Sequence, residues 1–366
     1  MKKVKIGIIG TGVGIRTHLK GFRLVEQAEV YAICGSSFTR SKEFAEKYSI
    51  PVACSDYKEL CDMKEVDLIC ITTPNKFHYE MIKYALNKHK HIICEKPLVN
   101  TANEAKELFA LSKGYDKILF IDHQLRFNPY ITKIKELIQS GVLGKIYTVK
   151  LNQQGTGFAN ENAQWTWSFD AAEGGGVRLA MASHFTDLLQ FWFENRPVVS
   201  VMGYLNPITK NRLDLSGMSR TVEASTVCTA MINFADELTA QYTINAGSYA
   251  GSRFDISIFG DKGELYFSLQ DKISLYLRSS IGDKQIVQVD DVYQDERENK
   301  TSIFSGSFRY LAPLVINAIL SDDKSKIEKA AKFGDAIYNL TILDAIKQSA
   351  NENAVIKFKE DGNCYV

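Results

Sequence analysis

The first third of the chain alternates short apolar runs with segments whose apolar residues recur at helical spacing. Val4–Ile9 reads as a buried strand, and residues 10–14 as a glycine-rich turn. A helix is expected over 17–27, a strand over 30–34 and a helix over 41–48. Strands at 67–71, 91–94 and 118–121 then alternate with helices at 78–88 and 101–113. Apolar strands that alternate with amphipathic helices predict a parallel sheet covered by helices on both faces. Beyond about residue 125 the rhythm changes. A helix is expected over 129–140, a strand over 146–153 and, after three glycines, a helix over 177–193. Period-two alternation dominates residues 198–289, and Gly260-Asp261-Lys262-Gly263 has the form of a hairpin connection. A helix over 328–350 and a strand over 354–358 close the chain. This pattern predicts an α/β domain at 1–124 and an α+β domain at 125–366. The second domain has a large, mostly antiparallel open sheet, and its closing helix packs back toward the first. Residues 206–219 and 290–300 are expected to be mobile loops.

The 366 residues carry 44 Lys and Arg against 43 Asp and Glu, a net charge of +1. That balance argues against nucleic acid or a membrane surface as the main partner. Seven cysteines are scattered without C-x-x-C spacing, several inside apolar runs such as Ile69-Cys70-Ile71, so buried reduced thiols are expected. The chain opens with Met-Lys-Lys and then a strand, and no apolar stretch is expected to span a membrane, which predicts a cytoplasmic protein. No cluster with metal-ligand spacing stands out, so no metal is expected.

Gly10-Thr11-Gly12-Val13-Gly14-Ile15 follows the first strand and opens a helix, where free N–H groups and the helix dipole favour a pyrophosphate. The third glycine of G-x-G-x-x-G falls on Ile15, and Gly14 is expected to take over part of its role. The loop therefore predicts a Rossmann domain that binds NAD(P). The second strand ends in Cys34-Gly35-Ser36-Ser37-Phe38-Thr39-Arg40, without the acid that usually holds a ribose 2′-hydroxyl. Ser36, Ser37 and Arg40 suit a 2′-phosphate better, which favours NADP over NAD.

Cys94-Glu95-Lys96-Pro97 at a strand end, the glycine loop before it, and Gly174-Gly175-Gly176 with His184 after it resemble the Gfo/Idh/MocA oxidoreductases. That family includes glucose–fructose oxidoreductase, inositol dehydrogenase and biliverdin reductase. The likeness extends to Thr73-Pro74-Asn75 with His78, to Arg126-Phe127-Asn128-Pro129 and to residues 141–146. The resemblance implies a hydride exchanged between a nicotinamide and a C–OH or C=O of a sugar, polyol or sugar derivative. It implies that Glu95 meets the nicotinamide ribose, that a cis peptide precedes Pro97, and that Lys96 is the main acid/base with His184 assisting. Cofactor contacts are expected from Gly10, Gly12, Val13, Gly14, Ser36, Ser37, Arg40, Thr73, Pro74, Asn75, His78, Glu95, Lys96, Arg126 and Trp167. Substrate contacts are expected from Lys96, Arg126, Trp165 and His184. A lysine or histidine near neutrality suits proton exchange with an alcohol or ketone.

One departure bears on the chemistry. Relatives carry D-x-x-x-H on the helix after the glycines, and here the aspartate position is Ala180. Asp187 is either a partner of His184 or a structural tie, and Arg178 faces either a ligand anion or a surface carboxylate. The alternative to an enzyme is a non-catalytic NAD(P)- and sugar-binding sensor, as in a galactose-pathway repressor of the same family. A bare sheet face predicts a homodimer or homotetramer through the C-terminal sheet, with Val227, Met231 and Tyr242 among the apolar residues covered.

Overall fold

The computed structural model describes residues 2–160, 162–194, 196–208, 211–269, 272–293 and 302–359. It divides into two compact units, Met1–Asn128 with Val292–Ile337, and Pro129–Asp291 with Tyr338–Val366. The sequence reading draws one boundary after residue 124; the structure groups a second segment, Val292–Ile337, with the N-terminal residues.

In the first unit, β1 (Val4–Ile9), β2 (Ala28–Cys34), β3 (Val52–Cys54), β4 (Leu68–Ile71), β5 (His91–Glu95) and β6 (Leu119–Asp122) form one parallel sheet. Their order is β3-β2-β1-β4-β5-β6, which reverses direction between β1 and β4. Such a switch point opens a crevice at the carboxyl ends of the strands, where ligands bind in sheets of this kind. β1, β4 and β5 are almost wholly buried, which explains their unbroken apolar sequences. Helix starts are set by local chemistry. Ser37 caps Phe38–Lys47 by accepting from the Arg40 N–H, and Thr101 with Glu104 forms a reciprocal box at Ala102–Leu111.

The sequence reading leaves out β3, the helix Tyr57–Asp62 and the helix Phe308–Ser321. The last is central to the unit. Phe308, Leu311, Ala312, Val315 and Ile316 are buried in one core with Ile8, Ile15, Leu19 and Phe22. Each of these side chains larger than alanine contributes about 1.5–3 kcal/mol on burial. With the preceding turn it makes a 19-residue stretch, Ile303–Ser321, of mean hydropathy 1.4, long and apolar enough by composition to cross a membrane. This corrects the expectation that no such stretch exists; its packing marks it as a core helix.

In the second unit, nine strands follow the order β16-β15-β14-β13-β7-β12-β11-β8-β17. β7 (Ile146–Gln154) and β12 (Thr239–Asn245) pair in parallel. The other neighbours are antiparallel: β8 (Val198–Asn206), β11 (Val227–Phe234), β13 (Arg253–Gly260), β14 (Gly263–Ser268), β15 (Lys272–Leu277), β16 (Gln285–Val287) and β17 (Ile356–Lys357). Asp261-Lys262 makes the expected hairpin between β13 and β14. The helix Ser183–Phe193 is buried along its whole length and lays Phe185 against Tyr242 and Phe254 of one sheet face.

The opposite face is open. Met231 lies on it, opposite Met202, but Tyr242 does not: it pairs with Ala230, one residue out of phase, and is 1% exposed. The period-two rule places Tyr242 with the core and corrects its assignment to the open face. Within the expected loop 206–219, β9 (Asn211–Leu213) pairs with β10 (Ser219–Thr221), and residues 209 and 210 lie outside the described residues. Of the second predicted loop, residues 294–300 lie outside the described residues.

Candidate active site

The glycine loop leaves β1 at the switch point. Gly10 has φ +113°, and a Cβ there would meet the Thr72 carbonyl oxygen at 2.6 Å. A Cβ at Gly14 would lie 2.5 Å from Thr72 Oγ1 and 2.6 Å from Ile8, so Gly14 supplies the close helix–strand approach and Ile15 turns into the core. A Cβ at Gly12 would meet nothing, so the backbone there is open to a ligand. The following helix, Gly14–Leu19, is π-helical and continues as Lys20–Phe22, shorter than the predicted 17–27. An exposed glycine turn that runs into a helix start fits a dinucleotide pyrophosphate.

Beyond β2, Gly35 donates its N–H to Ser41 Oγ at 2.7 Å, and Ser37 is occupied as the helix cap. Arg40 lies in the first helical turn, exposed, with Nε donating to Thr11 Oγ1 at 2.8 Å and its guanidinium over Phe44. Ser36 is exposed beside it. Beyond β4, Thr72 Oγ1 donates to the Ile9 carbonyl at 2.8 Å, holding Thr73-Pro74-Asn75 beside the glycine loop. His78 is fully buried. Its Nε2 faces the Thr73 carbonyl at 3.0 Å, and its Nδ1 the Pro97 and Leu98 carbonyls at 3.1 and 3.2 Å. It therefore joins the β4 and β5 loops from behind, and burial holds its pKa below the ordinary range.

At the end of β5, Glu95 is 5% exposed and Lys96 is half-buried, and the Lys96–Pro97 peptide is cis, as the resemblance implied. The Lys96 N–H donates to Glu95 Oε2 at 3.3 Å. Burial pulls the Lys96 ammonium below its ordinary range, while Glu95 and Asp122 pull the other way. Glu95 Oε1 faces His18 Nε2 at 3.1 Å, and Asp122 Oδ2 lies 3.1 Å from the same nitrogen. His18, Glu95 and Asp122 bring their ligand atoms within 4.8 Å of one another, a group that could also hold a metal ion. Sequence reasoning missed His18 and Asp122. A signal was present: His18 shares a helical face with the apolar Ile15 and Phe22, and Asp122 ends an apolar strand. Arg126 is buried and turned to the Asp335 carboxylate at 3.1 Å and the Lys329 carbonyl at 3.3 Å, within the first unit.

The remaining predicted residues lie in the second unit. Arg178 reaches the Asp344 carboxylate at 3.2 Å, which selects the surface carboxylate of the two alternatives. Ala180 is half-buried in a π-helical turn, Arg178–Ala182, and His184 and Asp187 are buried on the helix that continues from it. The hairpin β9–β10 holds the segment that carries the tryptophans. Trp165 donates from its backbone to the Leu213 carbonyl at 2.7 Å and from Nε1 to the Thr221 carbonyl at 3.2 Å. Arg212 reaches the Phe158 and Ala163 carbonyls and lies over Phe169. Trp167 is 40% exposed.

A switch-point crevice with a glycine loop, followed by a unit with a large open sheet, is the arrangement of a dinucleotide-binding Rossmann domain joined to an α+β domain. Residues 4–123 match the oxidoreductase family's NAD-binding Rossmann fold, and residues 135–358 its C-terminal alpha/beta domain. The chain belongs to the Gfo/Idh/MocA oxidoreductase family. An uncharacterized oxidoreductase of Synechocystis sp. is 29% identical over 262 residues, which is 71% of this chain and 70% of the relative. Glucose-fructose oxidoreductase domain-containing protein 1 of Xenopus tropicalis is 24% identical over 97% of this chain and 93% of its own. Levoglucosan dehydrogenase in complex with NADH and L-sorbose shares the fold, with a TM-score of 0.83 at 21% identity over 98% of this chain and 99% of that one.

Proposed function

We propose that this chain is an NAD(P)-dependent dehydrogenase of a sugar, polyol or sugar derivative, with Lys96 as the main acid/base and His184 assisting. One observation carries this reading: Lys96 stands at the carboxyl end of β5 beside Glu95, with burial holding its ammonium below the ordinary lysine range. A bound nicotinamide dinucleotide supplies the hydride acceptor or donor. The chain's own groups do the rest. The open backbone at Gly12 and the helix start carry the pyrophosphate, and Thr73-Pro74-Asn75 forms the opposite wall. Lys96 Nζ gives or takes the proton of the reacting oxygen. The sugar-bound levoglucosan dehydrogenase with this fold supports a substrate of that class. The exposed Arg40 guanidinium supports NADP over NAD. The six described cysteines are free and buried, which fits a cytoplasmic setting.

The test is a panel of free sugars, polyols, sugar acids and nucleotide sugars with NAD and NADP, read by the absorbance of the reduced nicotinamide. Lys96→Ala is expected to lower the rate by about 10²–10⁴ and to leave cofactor affinity within a few-fold. Tight binding of a sugar with no hydride transfer in any variant would establish the sensor reading instead, which the replacement of the aspartate by Ala180 keeps open.

A further inference from the structure

Behind Glu95 and Lys96 lies a closed cluster that the reading above does not use. Glu95 and Asp122 are direct partners across the parallel β5–β6 pair, so their side chains leave the same face of the sheet. His18 enters from the helix after the glycine loop, its Nε2 3.1 Å from both carboxylates. His18 and Asp122 are fully enclosed, and the Phe308 ring lies 4.2 Å from the imidazole, centroid to centroid.

The hydrogen count is what makes the cluster informative. Nε2 carries at most one hydrogen and faces Glu95 Oε1 and Asp122 Oδ2 at the same 3.1 Å, so one hydrogen serves two carboxylates. An ionised carboxylate that is dry and beside a second carboxylate is strongly disfavoured. Charge balances with His18 an imidazolium, Glu95 a carboxylate and Asp122 a carboxylic acid, a state entered as pH falls through about 6; above it Asp122 carries a charge. The directions agree. Burial and Glu95 push Asp122 up to about 6, against His18. Burial opposes charge on His18, but Asp122, Cys70 and Glu95 carry it well above its ordinary value. Glu95 stays below its own range despite burial because His18 faces it. The other titratable groups around the cluster are Cys70 of β4, His78 behind β4, Cys94 and Lys96 of the β5 strand and turn, and His123 after β6.

We propose that His18 and Asp122 are positioning residues for Glu95 and Lys96: His18, braced by Phe308, fixes the Glu95 carboxylate, and Asp122 holds the exchangeable proton of the cluster and so sets the charge that stands beside the lysine. This rests on the reading of Lys96 as the acid/base group. With Asp122 protonated, the imidazolium and Glu95 cancel and Lys96 loses its proton readily. With Asp122 ionised, a net negative charge appears next to Lys96 and holds its proton. The cluster thus ties the glycine-loop helix, which carries His18, to the protonation of the residue that meets the substrate.

The experiment needs no substrate. The folded protein is labelled with acetic anhydride over pH 5.5–9, and modification of Lys96 is followed by peptide mass spectrometry, alone and with NADH or NADPH. Asp122→Asn keeps the shape and removes the charge. Lys96 is then expected to react severalfold faster at pH 7, with its labelling midpoint at lower pH. An unchanged Lys96 profile in a folded, cofactor-binding Asp122→Asn protein overturns the proposal and leaves Asp122 a space-filling core residue. Should that variant fail to fold, nitrogen-15 histidine spectra of the unaltered protein decide. His18, assigned by its absence in His18→Gln or by its contact with Phe308, is expected to remain doubly protonated through pH 8; a neutral His18 at pH 7 overturns the proposal. Stoichiometric zinc binding that requires His18 and Asp122 overturns it as well, because a metal would then occupy the place of the proton. Full turnover in Lys96→Ala would sink the catalytic reading without altering any of these outcomes.

Discussion

Arg40 Nε donates to the Thr11 hydroxyl at 2.8 Å, so the first turn of the helix after β2 is tied to the glycine loop itself. The bond uses one of five guanidinium hydrogens and leaves the planar edge exposed, and residues 34–39 at the end of β2 contain no Asp or Glu. That arrangement is expected to hold a ribose 2′-phosphate. NADPH should bind more tightly than NADH by calorimetry. Arg40→Ala should weaken NADPH by about tenfold, the worth of a charge-assisted hydrogen bond, and barely change NADH. A clear preference of the unaltered protein for NADH would contradict this.

His91 gives the fold a defined response to acid. Its Nδ1 accepts the Ile118 N–H at 3.0 Å, which requires that nitrogen to be unprotonated. Burial, with Lys117, pulls the ring from 6.5 to about 4, with Asp67, Lys324 and Asp322 as the other charged neighbours. A depressed histidine contributes stability that is full above pH 6.5 and is lost as pH falls toward 4, because the unfolded chain binds the proton first. With allowance for partial exposure, the loss is roughly 1–2 kcal/mol. Thermal unfolding from pH 7 to 4 should show a steeper fall for the unaltered protein than for His91→Asn. Parallel curves would assign the acid sensitivity elsewhere.

How far the sequence reaches depends on whether partners are near along the chain. β1, β4, β5 and β6 were legible because both their faces are covered, and an unbroken apolar run has few other fates. The glycine loop was legible because its constraint is local, and the Glu95-Lys96-Pro97 turn only through its likeness to the family's motif. The helix Phe308–Ser321 was not. It is apolar nearly all round, carries Pro313, and belongs to the core of a domain that begins some three hundred residues earlier. His18 and Asp122 escaped for the same reason: a polar residue on an apolar segment is a weak local signal, and only the fold sets Glu95 beside Asp122 and His18 Nε2 against both. Arg126 shows the converse. Its motif is local, while the carboxylate it meets at 3.1 Å is Asp335, more than two hundred residues away.

The open face of the large sheet carries Met202 and Tyr204 on β8 and Met231 on β11, with Tyr147 and Tyr266 farther across. Met202 and Met231 are direct cross-strand partners, 54% and 40% exposed, so they form one contiguous patch. Apolar area arranged this way is expected to be covered by a second copy, giving a dimer or tetramer. Met202→Lys combined with Met231→Lys should release monomers in light scattering and leave cofactor affinity per chain unchanged. A monomeric unaltered protein at micromolar concentration would refute it.

Ala180 provides the sharpest test of whether His184 takes part in catalysis. It stands four positions before His184, and the backbone between them is π-helical before it becomes regular. A carboxylate introduced at 180 enters a half-buried position, so it costs stability unless a cation receives it. His184, 2% exposed on the same helix, is the candidate to do so. If His184 assists Lys96, Ala180→Asp should hold the imidazole in one orientation and raise its pKa. The rate should then rise several-fold, and its acid limb should shift to higher pH. His184→Ala alone should lower the rate less than Lys96→Ala does, and Ala180→Asp should give no gain in the His184→Ala background. A gain that persists without His184 would mean that the new carboxylate acts on the substrate directly. No change of rate or pH profile in either background, with unfolding temperature lowered, would remove His184 from the mechanism and leave Lys96 to act alone.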